Sequence, residues 1–392
     1  MLKSFLSSYL SFPDLKKIDI VFINLFLFLT IFGMLVVATA TIEFSDSISG
    51  DPFSFTKKQF IHLIVGFFLF SVVLSLPLSF WENFDRLFLG LGIVLLLLVF
   101  VPGIGVEVKG ASRWIRLGPI GLQPSEVMKF ITIIYVSGYC VRRLKDLQSH
   151  WFAFFKPAML VVVVVFLILM QPDLGASAVI FATVLGILFI AGVHIKQFLL
   201  VITLAFISVL ALIIFEPYRW ERIIAYMDPW ADPDKGGYQL TLSLMAISRG
   251  DWFGVGLGES LMKLGYLPDA HSDFIFAVIV EEMGIFTALI VISTLFLISF
   301  RCFHIGKNAL RRNLHFGFFA CYGTGILIGL HTFINVGVAS GLLPTKGLTL
   351  PFISYGGTSL LIMCSLCALV LRVDQETKTS MPVANVSRKV SF

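Results

Sequence analysis

Long runs of apolar residues separated by short polar segments form the dominant pattern along this chain. A helix crosses the ~30 Å hydrocarbon core of a bilayer with ~20 residues, so each long run predicts a transmembrane helix. We find ten such runs, and only a short turn at 171–175 separates the fifth from the sixth. The runs centre on residues 18–41, 60–76, 87–101, 127–141, 158–170, 176–193, 198–215, 274–300, 314–338 and 350–371.

The composition agrees with a chain that lies mostly inside a bilayer. Of the 392 residues, 57% are hydrophobic and only 14% are charged, which excludes an ordinary soluble domain of this length. The sequence predicts an all-α polytopic membrane protein with about ten transmembrane helices and a large extracytoplasmic loop, 216–272, between helices 7 and 8. We assign residues 18–371 to the transmembrane domain. The flanking segments 1–17 and 372–392 are expected to be cytoplasmic, with disorder from residue 374 onward.

The distribution of Lys and Arg predicts the orientation. If the N-terminus is cytoplasmic, most basic residues lie on the inner side, as the positive-inside rule requires, so both termini are expected there. The short outer loops hold only Lys57, Lys58, Lys109, Arg113, Arg116 and Lys346. Residues 1–17 lack the pattern of a cleaved signal peptide, so the first span should act as an uncleaved insertion signal. We therefore attribute the net charge of +5 to the excess of Lys and Arg on the cytoplasmic side, and nucleic-acid binding is not expected.

None of the five Cys lies in an outer loop, so no disulfide framework is expected. Cys364-Ser-Leu-Cys367 has the spacing of a redox or metal motif. It lies inside the last apolar run without a second pair or a nearby His, so we interpret both residues as packing residues. The sequence predicts no dedicated metal site.

Polar sequence collects on the outer side of the predicted topology. The outer segments are 102–125, 171–175, 216–272 and 339–349, whereas the inner loops are short and basic. Long, sequence-rich connections carry function more often than short ones, so the chemistry should face outward. Residues 239–249 are apolar on one side and could lie in the membrane interface, where the loop would hold a lipid headgroup. The alternative is that 216–272 is a structural cap over the helices.

Asp273 lies at the boundary between a polar stretch and the run that begins at Phe274. An ionisable group at such a boundary is costly, so function is the default hypothesis. The alternative is that Asp273 caps the N-terminus of the helix.

Four further charged residues lie close to or within the apolar runs. Glu126 and Lys129 are three residues apart on one helix face, where they could neutralise each other. Alternatively, Lys129 and Arg113 present positive charge to a phosphate group. Glu281 and Glu282 lie about 12–13 Å deeper than Asp273 at ~1.5 Å per residue. We favour structural hydrogen bonds to neighbouring helices for both acids over a cavity-lining role.

Several motifs occur together and in order. They are Gly-Ala-Ser-Arg-Trp at 110–114, Gln-Pro-Ser-Glu at 123–126, Gln-Pro-Asp-Leu-Gly at 171–175, Asp-Pro-Trp at 228–230, Gly-Tyr-Gln at 237–239, Ala-His-Ser-Asp-Phe-Ile-Phe at 270–276 and Leu-Pro-Phe-Ile-Ser-Tyr-Gly-Gly-Thr-Ser at 350–359. On these motifs the chain resembles the SEDS family of bacterial cell-wall synthases. The resemblance runs from the first span to Arg372, and segment 343–351 is more similar to the cell-division branch than to the elongation branch. Where the family pattern is Glu-Ala-His-Thr-Asp, this chain has Asp-Ala-His-Ser-Asp at 269–273, which keeps the chemical type.

The resemblance implies a peptidoglycan glycosyltransferase. Its substrate would be lipid II, the undecaprenyl-pyrophosphate-linked disaccharide-pentapeptide, polymerised into β-1,4 glycan on the outer face of the cytoplasmic membrane. Asp273 matches the family's essential aspartate and would be the general base of an inverting reaction. The residues expected to contact substrate are Arg113, Lys129, Lys346, Arg219, Ser112, Glu126 and His271. A divalent cation, Mg²⁺ or Mn²⁺, could accompany the pyrophosphate.

The resemblance also implies partners and a location. We expect an FtsI-like class B penicillin-binding transpeptidase, other divisome proteins and membrane lipid as partners, at the division septum. Two other functions remain open at this point. A lipid II flippase would use Lys129, Glu281 and Glu282 to line a pathway, and a non-catalytic divisome scaffold would need Asp273 only as a helix cap.

Overall fold

The computed structural model describes residues 18–108, 111–117, 120–214, 224, 226–231, 237–264 and 266–379. Its helices are α1 (Ile20–Ser49), α2 (Ser54–Ser75), α3 (Leu78–Leu98), α4 (Pro124–Ser149), α5 (Phe155–Leu169), α6 (Leu174–Ile190), α7 (Ile195–Ile214), α8 (Tyr238–Gly250), α9 (Ile275–Arg311), α10 (His315–Ala339) and α11 (Gly357–Thr379). A short 3-10 helix, Trp151–Phe154, leads into α5.

Every predicted apolar run overlaps one of these helices. Within the described residues, six helical segments are long and apolar enough to cross a membrane, and two shorter apolar helices accompany them. The chain is therefore a helical, multi-pass membrane protein, as predicted. The number of ten spans stays a prediction.

The core lies where α9, α10 and α11 pack together with α1, α2, α4 and α6. Helix α11 is buried along nearly its whole length, including Cys364 and Cys367. All five Cys are buried and free. The interpretation of Cys364 and Cys367 as packing residues agrees with this placement.

The last apolar run, 350–371, is predicted to be helical, but helix α11 begins only at Gly357. Residues 350–356 are non-helical, because Pro351 interrupts the chain and Phe352 has a positive φ of 66°. Leu350, Phe352 and Ile353 are nevertheless buried. This segment packs against α1 at Gly33, where a Cβ would overlap the carbonyl oxygen of Phe352.

The disorder expected from residue 374 onward needs correction. Helix α11 continues to Thr379, so residues 374–379 are helical. The boundary of the membrane domain at residue 371 stays a prediction. Arg372 is buried, donates to the Leu74 carbonyl at 3.2 Å and pairs with Glu376 at 2.8 Å. Asp374 is buried and pairs with Lys378 at 2.6 Å. The bond to Leu74 holds the last turns against α2, whereas the two ion pairs lie within α11. Residues 1–17 and 380–392 lie outside the described residues.

The predicted outer loop 102–125 contains a small sheet that the sequence reasoning missed. Strands β1 (Gly105–Val108), β2 (Ala111–Leu117) and β3 (Ile120–Leu122) form an antiparallel meander in the order β1-β2-β3. Ile115 pairs with Gly105 on one side and with Leu122 on the other. The all-α prediction therefore holds for the membrane part, with this sheet as an addition between α3 and α4.

The described part of the large loop packs on protein. Helix α8 matches the predicted amphipathic segment 239–249, and it packs against α9 and α10. Its buried Ser243 donates to the Ala339 carbonyl at 2.8 Å. A Cβ on Gly250 would overlap the Val280 carbonyl, so the end of α8 lies directly against α9. This contact supports the structural-cap alternative for this part of the loop.

Candidate active site

A cavity of about 1070 Å³ opens between the helix ends that the charge distribution predicts to face outward. It is enclosed by the start of α2, the β2–β3 hairpin, the 171–175 turn, the segment before α9 and the loop between α10 and α11. Its lining includes Lys58, His62, Arg113, Trp114, Asp173, Gln239, Asp269, His271, Ser272, Asp273, Thr345, Lys346, Gly347, Tyr355, Gly356 and Gly357. The outward segments identified from the sequence therefore meet in one place.

Asp273 lies in this cavity at the end of a tight turn. Asp269 has a positive φ of 56°, and its carbonyl accepts the N–H groups of Ser272, Asp273 and Phe274 at 3.0, 3.1 and 3.3 Å. Helix α9 begins only after this turn, and its N-cap residue is Phe274. Asp273 is thus one residue before the assigned N-cap position.

A second loop fixes the other side of Asp273. The Asp273 Oδ2 atom lies 2.9 Å from where a Cβ on Gly347 would be, so a larger residue there would displace the carboxylate from this position. Asn335, buried on α10, donates its amide to the carbonyl of Asp273 at 2.9 Å and to that of Leu348 at 2.6 Å. One side chain therefore ties the Asp273 turn to the loop that carries Lys346.

The 354–357 segment holds the turn from a third direction. Ser354 donates to the Ser272 carbonyl at 2.6 Å, and the Tyr355 N–H donates to the His271 carbonyl at 2.9 Å. The His271 ring packs between Phe44 and Tyr355, with centroid distances of 5.0 and 5.6 Å. Burial raises the pKa of the Tyr355 hydroxyl, which stays protonated at neutral pH. Asp273 is thus held by a rigid surround, as a catalytic group requires.

Arg113 lines the cavity and also holds it together. Its Nε donates to the Gln171 carbonyl at 2.9 Å and its Nη2 to the Pro172 carbonyl at 2.5 Å. These bonds fasten β2 to the turn before α6. Because a guanidinium has five N–H donors, others remain for a ligand. Lys346 and His271, two further residues predicted to contact substrate, also line the cavity, whereas Ser112 is not among the lining residues. Arg219 lies outside the described residues.

Asp173 is a cavity carboxylate that the sequence reasoning missed as a site residue. Its Oδ1 accepts the Ala176 N–H at 3.1 Å, which caps α6. Its Oδ2 accepts from Ser125 at 3.1 Å and from Gln123 at 3.2 Å. These three donors on one carboxylate join the starts of α4 and α6. The available signal was the Asp-Leu-Gly sequence just before an apolar run, which is typical of a helix cap.

Glu126 and Lys129 do not line the cavity. Lys129 is completely buried, pairs with Glu126 at 2.6 Å and lies 3.0 Å from the Nε2 atom of His331. The His331 Nδ1 atom lies 3.2 Å from the Thr349 carbonyl. The cluster of Glu126, Lys129 and His331 therefore packs against the loop that contains Gly347. This placement agrees with mutual neutralisation and gives no support to direct phosphate contact by either residue.

Glu281 and Glu282 hold the large loop to a kink in α9. Glu281 accepts from Arg249 at 3.1 Å, from Ser260 at 2.5 Å and from the Leu261 N–H at 3.0 Å. Glu282 pairs with buried Lys263 at 2.7 Å. The predicted structural hydrogen bonding is present, but most partners come from the 251–264 loop and not from another membrane helix. Neither acid is in the cavity lining.

The described residues contain no group of three or more His, Cys, Asp or Glu side chains arranged to hold a metal ion. Of the cavity carboxylates, Asp269 and Asp273 share one turn, and Asp173 comes from another. We therefore assign no residues to a divalent cation.

The family model described as cell cycle protein, FtsW/RodA/SpoVE, matches residues 19–379. The chain belongs to this family. A relative from Nitrosococcus halophilus, named probable peptidoglycan glycosyltransferase FtsW, is 46% identical over 88% of this chain and 89% of its own length. The protein of the same name from Shewanella sediminis is 42% identical over 97% of this chain and 92% of its own length.

Solved structures share the fold of this FtsW/RodA/SpoVE family member. One is a chain from a study of the structural coordination of polymerization and crosslinking by a peptidoglycan synthase complex. It gives a TM-score of 0.75 at 26% identity, covering 92% of this chain and 98% of that chain. The crystal structure of the rod shape determining protein RodA from Thermus thermophilus gives a TM-score of 0.66 at 25% identity, covering 93% and 99%. The resemblance found in the sequence motifs is thereby confirmed.

Proposed function

We propose that this protein is a peptidoglycan glycosyltransferase that polymerises lipid II into β-1,4 glycan at the outer face of the cytoplasmic membrane. The observation that carries the proposal is Asp273, an aspartate fixed by three separate segments in the wall of a large cavity at the outer helix ends. The names of the relatives give independent support.

In the proposed reaction, Asp273 accepts the proton from the 4-hydroxyl of the acceptor GlcNAc as that oxygen attacks C1 of the donor MurNAc. The C1–O bond breaks and undecaprenyl pyrophosphate leaves with the bonding electrons. Because a sugar hydroxyl is a very weak acid, the proton must move during attack, a contribution of roughly 10²–10⁴-fold in rate.

A single displacement inverts the anomeric centre. A retaining route would need a second carboxylate as nucleophile, ~5 Å from the first. Asp269 lines the same cavity, but its turn serves to position Asp273. Isolation of a covalent glycosyl-enzyme would contradict inversion.

Positive charge in the cavity would stabilise the leaving pyrophosphate. Arg113 and Lys346 both line the cavity, and fixed cations aimed at developing negative charge lower the barrier. Mg²⁺ or Mn²⁺ bound to the pyrophosphate would add to this effect as part of the substrate.

We further propose a role in septal cell-wall synthesis, with both termini cytoplasmic and a class B transpeptidase as partner. The FtsW names of the relatives support the division role. The related synthase complex that couples polymerization to crosslinking supports the partner.

The test is lipid II polymerisation by the purified protein with its cognate transpeptidase, comparing wild type with Asp273→Ala. We expect polymer from wild type and a loss of at least ~10²-fold in the variant, because the base is removed. Asp51→Asn, which changes an exposed carboxylate outside the cavity, is the matched control and should retain activity. Equal folding and equal partner binding are checked first.

Equal polymer from wild type and Asp273→Ala would remove Asp273 from the chemistry. Lipid II translocation without polymerisation would favour a flippase. The structure gives that alternative little support, because Lys129, Glu281 and Glu282 are all paired inside the protein and none lines the cavity.

A further inference from the structure

Helix α2 forms one wall of the cavity, and none of its residues has a role in the mechanism proposed above. Lys58, Ile61 and His62 line the cavity. Residues three and four apart share one helix face, so these three side chains form a continuous strip. His62 lies against the start of α11, where a Cβ on Gly357 would be 2.5 Å from its Nε2 atom. The strip therefore packs directly against the Gly356–Gly357 edge of the cavity.

The ammonium group of Lys58 is held on the cavity side by an aromatic contact. Its Nζ lies 5.2 Å from the centroid of the Phe55 ring, a cation–π distance. The Phe55 ring packs on Tyr355 at 5.1 Å and on His271 at 5.6 Å. His271 is two residues before Asp273. The aromatic cluster thus links Lys58 to the segment that carries the proposed base.

Lys58 differs from its neighbour Lys57 in its charge environment. Lys57 pairs with Asp51 at 2.6 Å and is not part of the cavity lining. The hydrogen bond from Lys57 lowers the pKa of the Asp51 carboxyl. Over the described ranges no carboxylate lies within ion-pair distance of Lys58, so its positive charge is available to a ligand. Two adjacent lysines therefore offer the same charge, and only one directs it into the cavity.

We propose that Lys58 binds the pyrophosphate of the lipid-linked substrate, in the cavity that Arg113 and Lys346 also line. The inference rests on the proposed function, since it assumes a pyrophosphate-bearing substrate. Its chemistry is a phosphate held by an ammonium group, and a lysine serves as a compact point charge for this purpose. A headgroup phosphate of an ordinary phospholipid has the same chemistry, so the experiment must separate the two sources.

The experiment compares wild type, Lys58→Ala, Lys58→Arg and Lys57→Ala, each in complex with the cognate transpeptidase. Binding of radiolabelled undecaprenyl pyrophosphate is measured directly, with undecaprenol as the phosphate-free competitor. The KM and kcat for lipid II are measured in parallel. Hydrogen bonds to charged groups contribute enough for about a tenfold effect. We expect Lys58→Ala to weaken undecaprenyl pyrophosphate binding and raise KM about tenfold, Lys58→Arg to recover most of the loss, and Lys57→Ala to stay within about twofold.

Phospholipid contact is separated by repeating the binding measurement in detergent and in nanodiscs of phosphatidylglycerol. A tenfold loss in both environments supports the substrate site. A loss seen only in nanodiscs, or an equal effect of Lys57→Ala and Lys58→Ala, overturns it. If Lys58→Ala lowers the thermal unfolding midpoint, Lys58→Gln is used, because it keeps most of the apolar stem.

Asp273→Ala is included so that the two proposals fail in different ways. Retained polymerisation by Asp273→Ala would count against the proposed mechanism, whatever Lys58 does. Unchanged undecaprenyl pyrophosphate binding by Lys58→Ala would count against the lysine site, even where Asp273→Ala is inactive. The binding measurement needs no turnover, so each outcome can be read separately.

Discussion

Asn335 is a single buried side chain that connects two backbone segments of the candidate active site. It is 1% exposed, and its amide joins the carbonyl of Asp273 to that of Leu348. It touches the backbone that carries the proposed base and not the cavity, so we regard it as a positioning residue. A polar side chain in an apolar run is costly unless it is bonded, and here both amide donations serve the site.

Replacing Asn335 with Leu should lower the catalytic rate more than it affects substrate affinity. The change removes both donations and frees the Asp273 turn from the 347–349 loop. A displacement of ~1 Å in a reacting group can cost about 10²-fold, so we expect kcat to fall roughly 10–100-fold with KM within about threefold. Steady-state polymerisation of lipid II measures both constants.

Thr332→Val is the matched control for Asn335→Leu. Thr332 is also buried on α10, but its hydroxyl bonds only the Ile328 carbonyl of its own helix, at 2.9 Å. We expect the control to keep kcat within about twofold. A parallel fall of kcat in both variants would mean that α10 is simply sensitive to substitution.

At the scale of elements, the kink in α9 is a departure from regular structure close to two buried acids. Gly284 has φ 79° and ψ 171°, so the helix is interrupted beside Glu281 and Glu282. The 251–256 backbone supplies the missing partners: the Val255 and Gly256 N–H groups donate to the carbonyls of Glu281 and Glu282 at 2.9 and 3.0 Å. Inside a bilayer an irregular backbone is tolerated only where protein satisfies it, and the large loop does so here.

Gly254→Ala should destabilise this junction strongly. A Cβ at Gly254 would overlap the Glu282 carbonyl and lie 2.5 Å from the Met283 nitrogen. Overpacking of this kind costs ~1–3 kcal/mol beyond the backbone strain. We expect a lower thermal unfolding midpoint and faster hydrogen exchange across 250–264.

Gly258→Ala separates overlap from backbone strain. Gly258 has a φ of 86°, close to the 81° of Gly254, but a Cβ there would meet nothing within 4 Å. Strain alone should cost ~1 kcal/mol. Equal destabilisation by the two variants would show that the contact with α9 adds nothing.

At the scale of the whole molecule, the cavity lies at one end of the helix bundle. The charge distribution predicts that this end faces outward, because the opposite loops hold most of the Lys and Arg. Since the five native Cys are buried and free, engineered cysteines can report this orientation with little background.

Cysteine labelling of intact spheroplasts tests the orientation. Ser47 is exposed near the cavity end of α1, and Ser149 is exposed at the opposite end of α4. We expect a membrane-impermeant maleimide to label Ser47→Cys in intact spheroplasts, and Ser149→Cys only after permeabilisation. The reverse pattern would place the cavity in the cytoplasm and contradict synthesis at the outer face.

The membrane architecture could be predicted from the sequence because bilayer thickness sets the length of an apolar run directly. Asp273 could be singled out for a similar reason, since a carboxylate at the edge of an apolar run is visible without any tertiary contact. The family could be recognised because its motifs are contiguous stretches of chain. Each of these properties is local, so each could be found by reading one segment of the chain at a time.

Only the tertiary structure decided which charged residues share the cavity. Lys129 and Lys58 are both basic residues near the outer helix ends, yet Lys129 is buried against Glu126 and His331, whereas Lys58 lines the cavity. Asp173 joins the site, and Glu281 is used to hold a loop. These outcomes depend on how each helix is rotated against its neighbours. That rotation is set by packing between segments far apart in the chain, which hydrophobic periodicity alone does not specify.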